Sequence, residues 1–305
     1  MEAGKIGDDT SDHFVKTFLE RREKIGESFE KLSVLEDLFP EAVGEFRNRL
    51  LISVCERSLE EFALTILHSV TDGFDYIDKM TGNNALIMAC KNRLDDVALE
   101  LITTKRSDLD RVNNDGETAL TWACSNEMFE VANSLIDSGR ANPSQVDRDG
   151  NTALILACSR KMEPVALRLV KTGEAKIEHV NKQGDNALLI ACRHGLESVA
   201  IELIRTKKFG PSHANNEGET LTSLIHAKKL TEVLYELIKI CPPLTHGTED
   251  TLCMCCYEKA TSLYHLFPCD HAFYIHEKCL RELTKCPYCR KKINKRCVIY
   301  LQNIV

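Results

Sequence analysis

Residues near the C-terminal end have the types and spacing of a metal-binding site. Eight cysteines and histidines form four closely spaced pairs between residues 253 and 289. The pairs are Cys253 with Cys256, Cys269 with His271, His276 with Cys279, and Cys286 with Cys289. Zinc in structural sites takes four Cys or His ligands in a tetrahedron, so eight ligands predict two zinc ions. Cys255 is an alternative to Cys253, but two intervening residues suit one ion better than none.

Composition separates this tail from the rest of the chain. The 305 residues are enough for about two domains. Residues 251–305 contain nine Lys and Arg against four Asp and Glu, although the whole chain has a formal net charge of −7. We therefore expect a linker at residues 242–250 and a separate domain at 251–305. A domain this small cannot fold on its apolar core alone, so zinc is expected to supply much of its folding energy.

Upstream of the linker, the sequence repeats itself every 34 residues. The repeat is marked by Gly82, Gly116, Gly150, Gly184 and Gly218. Each glycine precedes an apolar block such as "ALTWAC" or "ALILAC", and a second block such as "VALELI" follows. A fixed period of this kind predicts a solenoid. Tetratricopeptide units have the same period, but they lack the polar segment that here separates the helical blocks and ends in a hairpin-type glycine turn.

This layout resembles ankyrin repeats. The usual Thr-Pro-Leu-His motif is altered, because Ala replaces Pro and other residues replace His. The replacements for His are Ile87, Thr121, Ile155 and Leu189. We expect the loss of this histidine to remove a hydrogen bond to neighbouring loops without changing the fold. The resemblance implies a mainly α solenoid at residues 48–241, with about six units of which the terminal ones are degenerate.

The segments before the repeats are predicted from their apolar spacing. Residues 12–47 have helical spacing and are expected to form an N-terminal cap on the solenoid, with a separate helical hairpin as the alternative. Residues 1–11 are polar and are expected to be disordered. No signal peptide or membrane span is predicted, which indicates a cytoplasmic or nuclear protein. The Asn-rich repeats without His resemble those of large DNA viruses or protists, so a host cell is a further possibility.

Cysteine recurs within the repeats, and the only tryptophan of the chain also lies there. Cys90, Cys124, Cys158 and Cys192 occupy one phase of the repeat, and Cys55 falls near it. Reactive thiols are one interpretation, but no recurring histidine accompanies them as a base. Small hydrophobic side chains between stacked helices are the favoured interpretation. Trp122 is predicted to pack between repeats, with a role as a binding anchor as the alternative.

Solenoids of this type bind proteins along an extended surface formed by hairpin tips and first helices. The predicted substrate-binding residues are Asn113, Asn114, Asp115, Asp147, Arg148, Asp149, Asn181, Lys182 and Gln183. The acidic balance of the repeats predicts a basic or mixed-charge partner.

The tail resembles a RING finger with two histidines, on the residues "LFPCDH" and "CPYCR". The resemblance implies a small α+β domain with interleaved zinc sites. One ion is bound by Cys253, Cys256, His276 and Cys279, and the other by Cys269, His271, Cys286 and Cys289. Four residues separate the two histidines of "HAFYIH", where the family has two or three. We expect Tyr274 and Ile275 to bulge, and residues 299–305 to add an edge strand.

The resemblance also implies a function. RING fingers are ubiquitin-protein ligases that bind a ubiquitin-charged conjugating enzyme and promote transfer to a substrate lysine, without a covalent intermediate of their own. Cys255, Leu283 and Pro287 are expected to contact the conjugating enzyme. Arg290 is expected to link that enzyme and ubiquitin, because its planar fork of donors is always charged. A solvated charge within "RKKINKR" is the alternative for Arg290.

Three other interpretations of the tail compete with a ligase. A zinc-stabilised tail that only mediates association would make the protein a non-catalytic ankyrin scaffold or adaptor, against which Pro287 and Arg290 argue. A reader of histone tails usually has a tryptophan before the last ligand pair, where Leu283 and Lys285 stand, and the basic signature of a lipid reader is missing. The run "RKKINKR" has no aromatic platform, which argues against nucleic-acid binding.

Overall fold

The computed structural model describes residues 40–69, 74, 76–208, 213–240, 263–267, 271–274 and 295–299. The predicted disordered segment 1–11, most of the predicted cap 12–47 and all of the predicted linker 242–250 lie outside these residues. The chain divides into two compact units, Met1–Arg148 and Asp149–Val305. The described part is mainly helical, and the helices follow one another in pairs.

The first unit contains three helix pairs. Its helices are α1 Pro40–Glu56, α2 Glu60–His68, α3 Ala85–Lys91, α4 Asp95–Thr103, α5 Ala119–Ser125 and α6 Phe129–Asp137. The first helices of the pairs pack in the order α1, α3, α5, and the second helices pack in the order α2, α4, α6. Two layers of antiparallel helices therefore form this part of the solenoid, as the 34-residue period predicts.

The second unit continues the same pattern. Its helices are α7 Ala153–Ser159, α8 Glu163–Thr172, α9 Ala187–His194, α10 Glu197–Arg205, α11 Leu221–Lys228 and α12 Thr231–Ile240. Helix α9 packs between α7 and α11, and α10 packs between α8 and α12. Each unit thus has a layer of first helices and a layer of second helices, and the first helices after α1 are shorter than the second helices.

The polar residue before each "AL" pair starts a first helix. The side chains of Asn84, Thr118, Thr152 and Asn186 accept a hydrogen bond from the backbone N–H three residues further on. This satisfies one of the donors that a helix start leaves unpaired. The turn to the second helix then passes through a left-handed residue, at Arg93, Glu127, Lys161, Gly195 and Lys229. The two signals restrict most of the first helices to seven or eight residues.

The recurring cysteines belong to the apolar core. Cys55, Cys90, Cys124, Cys158 and Cys192 all have 0% of their surface exposed. Burial raises the pKa of Cys55, Cys124 and Cys192 to about 12, with smaller contributions from Glu60 at Cys55 and from Glu197 at Cys192. The pKa of Cys90 rises for the same reason. Their interpretation as small hydrophobic side chains, and not as reactive thiols, is confirmed.

Helix α1 differs from the other first helices. It begins at Pro40, a residue that suits the first turn of a helix, and continues for 17 residues. The predicted boundary between cap and repeats at residues 47 and 48 therefore falls inside one continuous helix. After Gly44 no glycine or proline occurs before Glu56, so nothing in the sequence divides the helix at the predicted position.

Three strands are described in the tail. They are β1 Leu263–Phe267, β2 His271–Tyr274 and β3 Lys295–Ile299, and they form an antiparallel sheet in the order β2-β1-β3. Tyr274 pairs with Leu263 in regular register, so the expectation of a bulge at Tyr274 is wrong. The third strand ends at Ile299, where the expected edge strand was to begin. Ile275 lies outside the described residues.

The glycine of each hairpin tip has a backbone that L side chains rarely adopt. Gly116 has φ +80°, and a Cβ atom at this position would lie 2.6 Å from the carbonyl oxygen of Val146 in the next hairpin. Gly184 has the same φ and would bring its Cβ within 2.7 Å of Asn216. Gly218 has φ +78° but no atom within 4 Å of a Cβ. The first two glycines are therefore required both by backbone conformation and by contact with the next repeat.

We predict that Gly116→Ala destabilises the protein more than Gly218→Ala. Both substitutions place an alanine at positive φ, which costs about 1 kcal/mol. Only Gly116→Ala also forces a side chain against a neighbouring backbone, which adds about 1–3 kcal/mol. Urea unfolding of the full chain, followed by circular dichroism, measures the difference. Equal unfolding midpoints for the two variants would show that contact between hairpins contributes nothing.

Candidate functional site

The predicted binding surface begins at the hairpin tip before α5. The Oδ1 atom of Asn113 accepts hydrogen bonds from the backbone N–H groups of Asp115 and Glu117, at 2.9 and 2.8 Å. Its Nδ2 atom donates to Asn83 Oδ1 at 2.8 Å and to Glu117 Oε2 at 2.9 Å. The residue is 6% exposed. Asn113 therefore holds the turn together, because its amide group is fully used within the protein. Its role in substrate binding stays a prediction.

The same arrangement recurs in the second unit. Asn181 Nδ2 donates to Asn151 Oδ1, and Asn215 Nδ2 donates to Asp185 Oδ1, both at 2.9 Å. Each asparagine also accepts from backbone N–H groups within its own turn. These side chains connect one repeat to the next. Asn181 is half-buried and is therefore a structural residue of the turn as well as a predicted binding residue.

The residues just after these asparagines form the outer rim of the tips. Asn114 N–H donates to Thr81 O, and Lys182 N–H donates to Asp149 O, each at 3.0 Å. Arg148 forms an ion pair with Asp115, although its own side chain is 70% exposed. Among the predicted binding residues, Asp115 and Asp147 are half-buried. The predicted residues that remain exposed are Asn114, Arg148, Asp149, Lys182 and Gln183.

A second set of contacts between tips was missed in the sequence. Four side chains of different types donate to the carbonyl oxygen of the glycine 29 residues earlier. Arg111 donates to Gly82 at 3.1 Å, Gln145 to Gly116 at 3.3 Å, His179 to Gly150 at 2.7 Å and His213 to Gly184 at 2.7 Å. They supply hydrogen bonds between loops although the histidine of the usual motif is replaced. The available signal was a polar donor at one phase of the 34-residue period.

Trp122 combines features of both interpretations of its role. It lies on α5 and is half-buried, whereas Met88 and Ile190, at the same phase, are buried. Its Nε1–H donates to Glu117 Oε2 at 3.0 Å, and Lys91 Nζ lies 5.4 Å from the ring centroid. The ring is thus fixed in place before any partner binds, while part of it stays accessible.

Arg193 forms the most highly connected charged cluster in the described residues of the second unit. Its guanidinium donates to both carboxylate oxygens of Asp185, at 2.9 and 2.6 Å, and to Glu219. Burial alone would raise the pKa of Asp185. Hydrogen bonds from Arg193 and Asn215, together with the charge of Arg193, outweigh burial, so the pKa lies below its ordinary value of 3.8. The cluster joins the hairpin before α9 to the hairpin before α11.

We predict that Asp185→Asn reduces the stability of the protein near neutral pH, but less so in acid. Because the folded-state pKa of Asp185 is lowered, its stabilising effect is present above the unfolded value of 3.8 and is lost as the pH falls through the folded value. We expect about 1 kcal/mol at neutral pH, since Arg193 remains partly exposed. Urea midpoints measured between about pH 6 and pH 3 test this.

The matched control for Asp185→Asn is Glu217→Gln. Glu217 is an exposed carboxylate in the neighbouring hairpin, so the control removes one negative charge without breaking the Arg193 cluster. A difference between wild type and Asp185→Asn that does not change with pH would contradict the proposed cause.

Of the eight predicted zinc ligands, only His271 lies among the described residues. It is the first residue of β2 and pairs with Leu266 of β1. The ligands outside the described residues are Cys253, Cys256, Cys269, His276, Cys279, Cys286 and Cys289. Cys255, Leu283, Pro287 and Arg290 also lie outside them. In the sequence, Cys269 falls between the end of β1 at Phe267 and the start of β2 at His271.

Among the described helices, none has both the length and the apolar composition that crossing a membrane requires. A protein of Invertebrate iridescent virus 6, named as RING finger protein 157L, is 30% identical to this chain over 70 residues. The match covers 22% of this chain and 45% of the viral protein, so it spans less than half of that relative.

Solved structures also resemble the chain. An ankyrin repeat domain from Acinetobacter baumannii AYE is 24% identical, with a TM-score of 0.47, over 60% of this chain and 93% of that one. Another ankyrin repeat protein is 22% identical, with a TM-score of 0.49, over 61% of this chain and 95% of that one. A chain from the complex of a Bdellovibrio bacteriovorus predatory endopeptidase with its immunity protein is 23% identical, with a TM-score of 0.48, over 63% and 97%.

The repeats themselves match a family model described as ankyrin repeats in three copies. The matches cover residues 48–147 and 138–215. Because together they span more than half of the chain, the protein belongs to the ankyrin-repeat family.

Proposed function

We propose that the protein is a RING-type ubiquitin ligase whose ankyrin repeats recruit the substrate. The repeats give the chain a protein-interaction role. The proposal adds that the tail binds a ubiquitin-charged conjugating enzyme. Ubiquitin then passes from the thioester of that enzyme to an amide bond with a substrate lysine, and the tail forms no covalent intermediate.

The observation that carries the proposal is the set of four Cys and His pairs followed directly by Arg290. Thiolate and imidazole groups in such pairs are the donors that structural zinc prefers. Of this donor set, the structure describes His271, which begins β2 opposite Leu266 of β1. The viral relative named as a RING finger protein supports the proposal as well.

Each part of the chain has its own role in the proposed mechanism. Zinc supplies folding energy to a domain without a large apolar core. Cys255, Leu283 and Pro287 provide the apolar contact with the conjugating enzyme. Arg290 donates hydrogen bonds to that enzyme and to ubiquitin, which restricts the thioester to conformations that a lysine amine can attack. The exposed hairpin tips bind the substrate, so that its lysine amine can reach the thioester.

We predict that the full-length protein ubiquitinates itself when mixed with ubiquitin, activating enzyme, a panel of conjugating enzymes and ATP. Cys253→Ala should abolish this activity, because it removes a zinc ligand. Arg290→Ala should lower the rate by about ten- to a hundredfold, which is the loss expected for charge-assisted hydrogen bonds. Chain formation followed on denaturing gels gives the rates.

The control for Arg290→Ala is Lys292→Ala, which removes a positive charge from the same basic run. It should leave the rate within about twofold of wild type, because the proposal gives Lys292 no contact with the conjugating enzyme or ubiquitin. If no conjugating enzyme supports ubiquitin transfer in a protein that carries two zinc ions, the ligase is excluded and the protein is an ankyrin scaffold.

A chelator separates the two parts of the chain. We predict that excess chelator releases two zinc ions and exposes the tail cysteines to a thiol reagent. The five buried repeat cysteines should remain unreactive, because burial holds Cys55, Cys124 and Cys192 as neutral thiols with pKa values near 12. Zinc release is measured with a metal indicator, and labelled cysteines are identified by mass spectrometry. Release of fewer than two ions would remove the basis for a RING finger.

A further inference from the structure

One edge of the second unit has a row of exposed basic side chains. It follows the turns that connect each first helix to its second helix. We define this basic edge as Arg160, Lys161, His194, Lys228 and Lys229. Arg160 and Lys161 follow α7, His194 ends α9, and Lys228 and Lys229 lie at the end of α11 and just after it. Because α9 packs between α7 and α11, the three turns are consecutive along the solenoid.

Among the described residues, four side chains of this edge form no ion pair. Within the part of the chain that the structure describes, Arg160, Lys161, Lys228 and Lys229 are exposed and have no carboxylate within 4.0 Å. Two other arginines of the unit are paired, since Arg193 contacts Asp185 and Glu219, and Arg205 contacts Glu202 and Glu236.

Positive charges from the neighbouring turns act on His194, in the middle of the basic edge. The pKa of His194 is lowered by burial and then by three cations, Lys161, Arg193 and Lys228. Lys161 and Lys228 belong to the turns on either side, so charges from neighbouring repeats act on the same point. Glu163, Glu197 and Glu232 begin the second helices nearby, where the helix dipole stabilises them. These three carboxylates do not reverse the direction of the pKa shift at His194, which stays lowered.

Helix capping alone does not explain the row. A cation near a helix C-terminus interacts favourably with the helix dipole, and this contributes to stability. The corresponding positions of the first unit are Asn92 and Arg93, and then Asn126 and Glu127. In those turns too, the second residue has a left-handed backbone conformation. The fold therefore does not require cations at these positions.

We propose that the basic edge binds an extended acidic segment of the recruited protein, with a carboxylate at about every third residue. Packed helices lie roughly 8–10 Å apart, and an extended chain advances about 3.3–3.6 Å per residue. Three residues of an extended segment therefore match one step from turn to turn. The acidic balance of the repeats as a whole predicts a basic or mixed-charge partner, whereas the second unit presents the opposite charge here. The assignment of this segment to a ubiquitination substrate rests on the proposed function.

The test uses the full-length protein and fluorescence anisotropy. The probe is a labelled 15-residue peptide with the sequence Glu-Ser-Gly repeated five times. A second peptide replaces Glu with Gln, and a third has the same composition with its glutamates in one block. We expect the periodic acidic peptide to bind most tightly, and its affinity to fall as the salt concentration rises.

The test variant combines Arg160→Gln, Lys161→Gln, Lys228→Gln and Lys229→Gln. We expect it to bind the periodic peptide about tenfold more weakly, since four exposed charge contacts are removed. The control variant combines Lys171→Gln, Lys176→Gln, Lys207→Gln and Lys208→Gln, which are exposed lysines in the last turn of a second helix or after it. It removes the same net charge, and its affinity should stay within about twofold of wild type.

Three results would overturn the proposal. If the block peptide binds as tightly as the periodic one, charge attracts the peptide but the spacing of its glutamates has no effect. If the test and control variants lose affinity equally, the peptide binds to positive charge in general and not to the basic edge. Tighter binding of single-stranded oligouridine, lost in the test variant, would assign the edge to nucleic acid. No ubiquitin enzyme takes part, so failure here leaves the ligase proposal intact, and an inactive tail leaves the peptide result intact.

Discussion

Each repeat depends on the hydrogen bonds that its hairpin tip makes with the tip before it. Asn114 N–H reaches Thr81 O, and Asn216 N–H reaches Gln183 O, each at 3.0 Å. Such a short approach of two backbones leaves no space for a Cβ atom at Gly82 or Gly184. Glycine therefore recurs at this period because neighbouring repeats are in close contact there. Because each repeat is held by its neighbours, stability in such an array is a sum of local terms.

The fold of the repeats could be predicted because its determinants are local and recur. Asn or Thr before an "AL" pair starts each first helix, and the apolar phases that follow place Cys124 and its equivalents in the core. Repetition makes such weak signals decisive, since the same residue type returns every 34 positions. The beginning of α1 was not predictable in this way, because the terminal unit lacks the turn glycine. Its single helix from Pro40 to Glu56 has no repeat to align with.

The roles of polar side chains were less accessible from the sequence. Asn113 has the residue type of an exposed turn tip, yet its amide is used entirely within the protein. The donors to the glycine carbonyls include Arg111, Gln145 and two histidines, so geometry is retained while chemistry varies. A pattern search for one residue type misses such a position. For the tail, the spacing of Cys and His predicts ligands, and the strand register corrects only the expected bulge at Tyr274.

Net charge alone is a poor guide to what this surface recognises. A solenoid presents its turns in a row, so the sign at each turn matters more than the total over the chain. Arg193 does not attract an acidic ligand from a distance, because its charge is neutralised by the ion pairs with Asp185 and Glu219. Among the residues that the structure describes, Lys161 and Lys228 have no such partner, and both lower the pKa of His194. Exposed cations contribute little one at a time, but a periodic row selects for a ligand with the same period. Recognition by spacing in this way needs no deep pocket, and it suits a protein whose described surface is built from repeated turns.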